Sequence, residues 1–176
     1  MLQKIKTKVV QRVENALTRK QRGVALTVGS MGALMAGRKI SSLTMLYKGM
    51  KDIEAEWRLA HPEFEGGLKA RWDEAISFYE STHQDDTNRK LHIIGIPIIV
   101  GSTVGLFVFP SYSPPWILAA AGFAGGWALN IAGHVFFEKN APAFTDDPLS
   151  FVAGPIWDLK NIRSVFMGSA EAPAAA

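Results

Sequence analysis

Residues 93–109, IIGIPIIVGSTVGLFVF, and 116–137, WILAAAGFAGGWALNIAGHVFF, contain no Lys, Arg, Asp or Glu, and only PSYSPP separates them. A helix that crosses a bilayer needs roughly 20 apolar residues, because hydrocarbon offers nothing to unsatisfied backbone groups. Both runs meet that length, the first once Leu91 and His92 join it. Spans are therefore expected over about 91–109 and 116–137. The connection is short and uncharged, with Ser113 placed to cap and Pro114 or Pro115 to open the second helix. Pro97 is expected to kink the first span. Gly101 with Gly105, and Gly122 with Gly126, form small-residue pairs that let two membrane helices approach closely. The expected fold class is all-α: an integral membrane protein with one transmembrane helical hairpin and amphipathic cytoplasmic helices.

The rest of the 176-residue chain is charged. Residues 1–22 carry seven Lys or Arg against the single acid Glu14, with apolar residues near helical spacing. They read as a basic amphipathic helix, packed on its own domain, lying on an anionic membrane surface or serving as a transit peptide. No basic stripe interleaved with aromatics occurs elsewhere, which argues against a nucleic-acid partner. Residues 23–36 are apolar but short and Gly-interrupted, so a peripheral or re-entrant helix is expected there. Amphipathic helices are expected over 43–60 and 68–82, broken at HPEFEGG, with their aromatic residues as core. This divides the chain into a basic N-terminal region (1–66), a membrane domain (67–165) and a disordered tail (166–176). Arg89 and Lys90 precede the first span and Lys139 follows the second, so the positive-inside rule puts both polar ends on the cytoplasmic side. A bacterial inner membrane or the endoplasmic reticulum would fit.

The hairpin also disposes the histidines. His92 lies 20 residues before Tyr112 at the turn, and His134 lies 22 after it. At ~1.5 Å per residue the two reach nearly the same depth on antiparallel helices. Glu138 follows His134 by four residues and Asn88 precedes His92 by four, so each pair shares a helical face. Asp86, Thr87 and Asn88 are candidate caps, so a helix break there would fold His83 back onto the same place. Asp85 and Asp86 lie nearby, while His61 beside Pro62 reads as a surface residue. With no cysteine in the chain, disulfides and thiolate sites are excluded. Three imidazoles and a carboxylate suit iron, zinc, manganese or nickel. No nucleophile elbow, P-loop or dinucleotide fingerprint is present.

These residues resemble the Mpo-like membrane proteins, whose fungal member is a 2-hydroxy fatty acid dioxygenase of the endoplasmic reticulum. The first block is Phe78, Tyr79, His83, Asn88 and His92, with Pro97 following. The second is Gly133-His134, Phe137-Glu138-Lys139 and Pro142-Ala143. The likeness covers about residues 75–160; the first 65 residues have no counterpart. A distal Pro, matched by Pro155, is followed in that relative by an acid six positions on, where this chain has Asn161; Asp158 stands three positions after Pro155. The resemblance implies an Fe(II)-dependent membrane dioxygenase that shortens a 2-hydroxy fatty acid by one carbon with O2. His83, His92 and His134 would then be metal ligands, with Glu138 a fourth ligand or the group that orients one. Asn88 would hold a ligand or a substrate oxygen, and Lys139 or Arg89 would pair with the substrate carboxylate unless they serve as interfacial anchors. Another metal-dependent membrane lipid oxidase or hydrolase, or a non-catalytic scaffold, are the alternatives.

Overall fold

A computed structural model of the chain describes residues 17–167, with side chains described to residue 162. No strand occurs among the described residues, so the fold is all-α as expected. Contacts divide the chain into two compact units, Met1–Phe64 and Glu65–Ala176. Most of the basic segment 1–22, and the tail beyond residue 167, lie outside the described residues.

In the first unit, α1 (Arg19–Met35) packs against α2 (Lys39–Ala60). Thr18 starts α1 with a capping box: its hydroxyl accepts from Gln21 N at 3.2 Å and Gln21 Oε1 accepts from Thr18 N at 3.0 Å. The helix stops in a Schellman turn, in which Gly37 adopts φ 70° and Arg38 N–H reaches back to Ala33 O at 2.9 Å. Residues 19–22 thus belong to the same helix as the apolar stretch, and its 17 residues fall short of a span. At the end of α2, His61 is half-buried, stacked on Trp57 with ring centroids 4.3 Å apart and its Nδ1 on Trp57 O at 2.8 Å. It is a packed cap rather than a free surface residue.

The second unit opens with α3 (Leu68–Ser81) and continues with α4 (Asp86–Val108) and α5 (Pro114–Ala132). α5 runs directly into a π-helical turn, Gly133–Glu138; a 3₁₀ turn (Ala143–Thr145) and α6 (Ser150–Met167) follow. The two segments Asp86–Val108 and Pro114–Glu138 are long and apolar enough to cross a membrane. α4 begins earlier than expected because Asp85, not Asp86, Thr87 or Asn88, is the cap; its carboxylate accepts from Thr87 N and Asn88 N at 2.8 and 2.9 Å. α4 stays continuous through Pro97. Tyr112 makes the turn at φ 67°, and Ser113 precedes Pro114 without a side-chain cap bond, giving its hydroxyl to Pro110 O instead.

The hairpin closes on glycines, with one change of residue. A Cβ on Gly126 would stand 2.9 Å from the Gly95 carbonyl oxygen, and one on Gly105 2.9 Å from the Ala119 Cβ. A Cβ on Gly101 would meet nothing within 4 Å. Gly95 rather than Gly101 therefore makes the close approach on α4, and Gly101 faces outward. Apolar side chains also face outward, among them Ile94, Ile98, Val104, Leu118 and Phe136, a surface that lipid tolerates and water does not. α6 packs on α3 and α4. α6 is held to α3 by Tyr79 Oη on Asp158 at 2.6 Å and by Trp157 Nε1 on Glu80, and the segment that leads into it by the buried bidentate pair Arg71–Asp147 at 2.8 and 2.7 Å.

Gly126→Val should destabilise the hairpin by about 1–3 kcal/mol through overpacking, while Gly101→Ala should change stability by no more than ~0.5 kcal/mol. Unfolding in mixed micelles titrated with dodecyl sulfate reads both, and equal losses would contradict this interface.

Candidate metal centre

α3 ends at Ser81 and α4 starts at Asp86, so the chain reverses over residues 82–85 and returns His83 to the start of α4. His83, His92 and His134 come together there, each buried, with one candidate ligand atom apiece lying within 4.8 Å of the others. The ring centroids are 4.6, 4.8 and 4.9 Å apart and the ring planes nearly perpendicular. Three nitrogens sharing one ion at bonds of ~2.1 Å stand roughly 3.4–3.6 Å apart, so the widest pair would close by about 1.3 Å around a metal. Among the described residues these three form the group able to hold a metal.

Each Nδ1 is bonded away from the cluster. His83 Nδ1 meets Tyr79 O at 2.8 Å, His92 Nδ1 meets Asn88 O at 2.9 Å, and His134 Nδ1 meets Asn140 Oδ1 at 2.7 Å. Backbone carbonyls only accept, so the first two nitrogens carry the hydrogen. Asn140 is oriented independently, because its Nδ2 donates to Thr82 O at 2.9 Å, which leaves Oδ1 to accept from His134. All three rings thus hold their lone pair on Nε2. His83 Nε2 is buried without any partner, an arrangement that costs about 1–3 kcal/mol unless something electrophilic takes the lone pair. Three neutral imidazoles, tautomers set by outer hydrogen bonds, are a donor set that fits a divalent transition metal. Burial, with help from the neighbouring His92 ring, holds His83 down at about 3 against the opposing pull of the Tyr79 carbonyl.

Glu138 stands outside this triangle. Its carboxylate accepts from Gln84 N at 2.8 Å, Asp85 N at 2.9 Å and Asn88 Nδ2 at 3.0 Å. Glu138 follows His134 through the π-helical turn, and its carboxylate is taken up by these three donors. Glu138 ties the end of α5 to the start of α4, where helix N-terminal charge favours a carboxylate. Asn88, fully buried, packs against Gly133, where any Cβ would collide with its side-chain oxygen. Lys139 ends the π-turn in the left-handed region, φ 58°, and is exposed. The Arg89 guanidinium lies 4.8 Å over the Trp157 ring. Asp85 is a cap, Asp86 is exposed, and His61 lies outside the cluster.

Three contributors escape a reading of the sequence. Asn140 lies within the second motif, but its role depends on the reversal at Lys139. The Tyr79 ring stacks on His83 at 3.8 Å and gives its hydroxyl to Asp158, so a residue of α6 supports the first ligand through an aromatic residue. Burial pushes Asp158 up to about 6, against the Tyr79 hydroxyl and Arg89, which draw it down; Tyr79 rises well above its ordinary value by burial and by the charge of Asp158. Gly154 makes room for this contact, since a Cβ there would strike the Tyr79 ring.

The fold and the centre define a class: an all-helical protein carrying a buried three-histidine site able to hold a metal ion. Residues 70–165, more than half of the chain, match the family model described as 2-hydroxy-palmitic acid dioxygenase Mpo1-like. The chain belongs to that family. No curated protein and no solved structure matches it significantly.

Replacing His92 or His134 with Ala should abolish stoichiometric metal binding, and Asn140→Ala should weaken it by about 10–100-fold. Competition with a chelating dye measures both; an Asn140→Ala protein with unaltered affinity would remove the role given to that amide. A second expectation concerns pH. Between the ordinary carboxylate value of ~4 and about 6, Asp158 is protonated in the fold and ionised in the unfolded chain. Its stabilisation is complete below that window and is lost as pH rises through it. Asp158→Asn should make the metal-free protein lose more stability than the wild type on acidification from about pH 6.5 to about pH 4, by up to ~1.4 kcal/mol per unit. Parallel thermal-unfolding profiles would contradict the assignment.

Proposed function

We propose that the protein is an Fe(II)-dependent membrane dioxygenase that shortens 2-hydroxy fatty acids by one carbon. The observation that carries this reading is the set of three outward-bonded Nδ1 atoms around a buried, partnerless Nε2, in a chain of the 2-hydroxy-palmitic acid dioxygenase Mpo1-like family. His83, His92 and His134 hold the iron. Bound iron supplies the dioxygen chemistry and an attachment point for the substrate's oxygen atoms.

The chain's own residues do the rest. The Tyr79 and Asn88 carbonyls and the Asn140 amide keep three lone pairs directed inward, so no proton has to leave before metal enters. Glu138 is the positioning group rather than a fourth ligand, because its oxygens already serve two backbone N–H groups and Asn88. Asn88 holds His92 through its carbonyl and Glu138 through its amide. Lys139 and Arg89 are the cations nearest in sequence to these residues, and we assign them to the substrate carboxylate. The acyl chain lies in lipid against the apolar outer face of α4–α5, where each buried methylene contributes about 0.8 kcal/mol. Open positions on the metal at the polar end of that hairpin would then meet the head of the substrate.

Anaerobic purification, iron loading and addition of a 2-hydroxy fatty acid with O2 should yield the acid one carbon shorter, detected by mass. His134→Ala should reduce turnover at least about 100-fold with the loss of the metal, and Lys139→Ala should raise KM more than it lowers kcat. Stoichiometric zinc with hydrolytic turnover and no O2 uptake would instead favour a metal-dependent lipid hydrolase using the same three ligands.

A further inference from the structure

Toward their turn, α1 and α2 reverse the polarity of a water-soluble hairpin. In the turn half and the middle the buried residues are mostly small or hydroxylated, Gly23, Thr27, Ser30, Ser42 and Gly49 with Leu34, whereas toward the open end Ile53 and Trp57 are buried as in a water-soluble hairpin. Thr27 and Ser30 turn their hydroxyls onto carbonyls of their own helix, at 3.0 and 2.6 Å. A Cβ on Gly49 would stand 2.7 Å from the Gly23 carbonyl oxygen, so the backbones nearly touch. Apolar side chains face outward instead. Ile40 is 82% exposed, Tyr47 69% and Leu43 53%, and on α1 Val28 and Met35 are exposed as well.

These side chains occupy one end, and of the exposed large apolar residues described on the two helices Leu59 alone lies at the other. Arg19 pairs with Glu56 and Arg22 with Asp52, at 3.5 and 2.7 Å, which sets the antiparallel register. In that register every one of the five lies in the half of the hairpin nearest the turn at residues 36–38. Charge is sorted along the same axis. No Asp or Glu occurs between residues 15 and 51, whereas Arg38 and Lys39 stand at the turn and Lys48 and Lys51 behind it. Acids begin at Asp52 and continue with Glu54 and Glu56 toward the open end. From the turn outward come two cations, the exposed apolar side chains, two lysines and then acids, of which Asp52 and Glu56 pair with Arg22 and Arg19. The turn half therefore offers apolar side chains flanked by cations, which suits an anionic headgroup layer.

We propose that the turn end of the α1–α2 hairpin inserts into the interfacial layer of an anionic bilayer, as a membrane contact separate from the α4–α5 hairpin. The 17-residue α1 is too short to cross. Lipid is the occupant that explains both halves of the pattern. It removes the drive to bury Ile40, Leu43 and Tyr47 between the helices, leaving small residues to pack there, and its anionic headgroups favour a stretch whose sequence contains no acid.

The absence of cysteine permits a direct test with the full-length protein. Single-cysteine variants at Ile40 and Leu43, at Leu59 near the open end, and at Val104 on the outer face of α4 each carry one environment-sensitive fluorophore. They are reconstituted in phosphatidylcholine vesicles with or without phosphatidylglycerol. Labels at 40 and 43 should shift to the blue and be quenched by brominated lipid in the anionic vesicles, and the label at 59 should be quenched by aqueous iodide. Arg38→Glu with Lys39→Glu, a change that suits a helix N-terminus, should abolish lipid quenching at 43 and leave that at 104 intact. Iodide access at 40 and 43 in anionic vesicles overturns the proposal. So does a blue-shifted label that brominated lipid fails to reach, since protein would then cover the tip. Equal lipid quenching in neutral vesicles overturns the requirement for anionic lipid.

Discussion

Three imidazoles can share a buried space only if each spends its N–H elsewhere, and the bonds from Nδ1 to Tyr79 O, Asn88 O and Asn140 Oδ1 meet that condition. The acceptors follow from where helices end. Carbonyls at the end of α3 have acceptor capacity to spare, and two of them, at Tyr79 and at the cap residue Thr82, receive His83 and Asn140. On the other side of the break, Gln84 and Asp85 present N–H groups ahead of α4, and Glu138 takes both. A helix interruption that would be costly without partners is therefore closed by the site it creates. The centre and the break stabilise one another, so neither is separable from the other as scaffold or function.

The remaining polar burial in the second unit extends the same arrangement. Asp158, Tyr79 and His83 form a chain from α6 to the first ligand, and Arg71 with Asp147 ties α3 to the segment leading into α6 at the other end. A buried ion pair contributes little net stability over an apolar replacement, but breaking one leaves a lone charge and is expensive. Its effect here is on geometry: α6 cannot slide along α3 without separating that pair and the Tyr79–Asp158 bond together. Gly133 and Gly154 serve this end too, because they admit Asn88 and the Tyr79 ring at contact distance.

The hairpin and the convergence of His92 with His134 are legible in the sequence because they rest on a single periodicity. Two uncharged runs about one short turn leave the chain little alternative, and equal rise from Tyr112 delivers both rings to one depth. The recurrent spacing of four, Tyr79 to His83 and Asn88 to His92, has a local cause too, since each ring bonds the carbonyl one turn behind it. What escapes depends on departures from regular helix or on distant segments. Spacing puts Glu138 beside His134 but does not show that its carboxylate takes the Gln84 and Asp85 N–H groups across the chain reversal. Gly101 and Gly95 both sit in apolar surroundings, and only the crossing of α4 with α5 decides which one is approached. Asn140 and Asp158 act across a reversal and across a helix pair, at ranges where periodicity carries no information.

The two hairpins use one packing rule at different lengths. Glycines make the closest approaches in both interfaces, Gly23 and Gly49 in one and Gly95, Gly105 and Gly126 in the other, while many branched and aromatic side chains face out beside a smaller buried set such as Ile53, Ile96 and Phe123. In water this would forfeit the apolar burial that drives folding. In lipid, where apolar groups are solvated equally well on either side, close backbone contact is the gain that remains. Length and charge then separate the two: segments of 23 and 25 residues can traverse hydrocarbon, whereas α1 with 17 is too short and the 22-residue α2 carries Lys48, Lys51, Asp52, Glu54 and Glu56. Charge follows length: α4–α5 keeps its interior free of ionisable groups, whereas α1–α2 passes from cations to acids within a few turns, as an element that stops at the headgroups must.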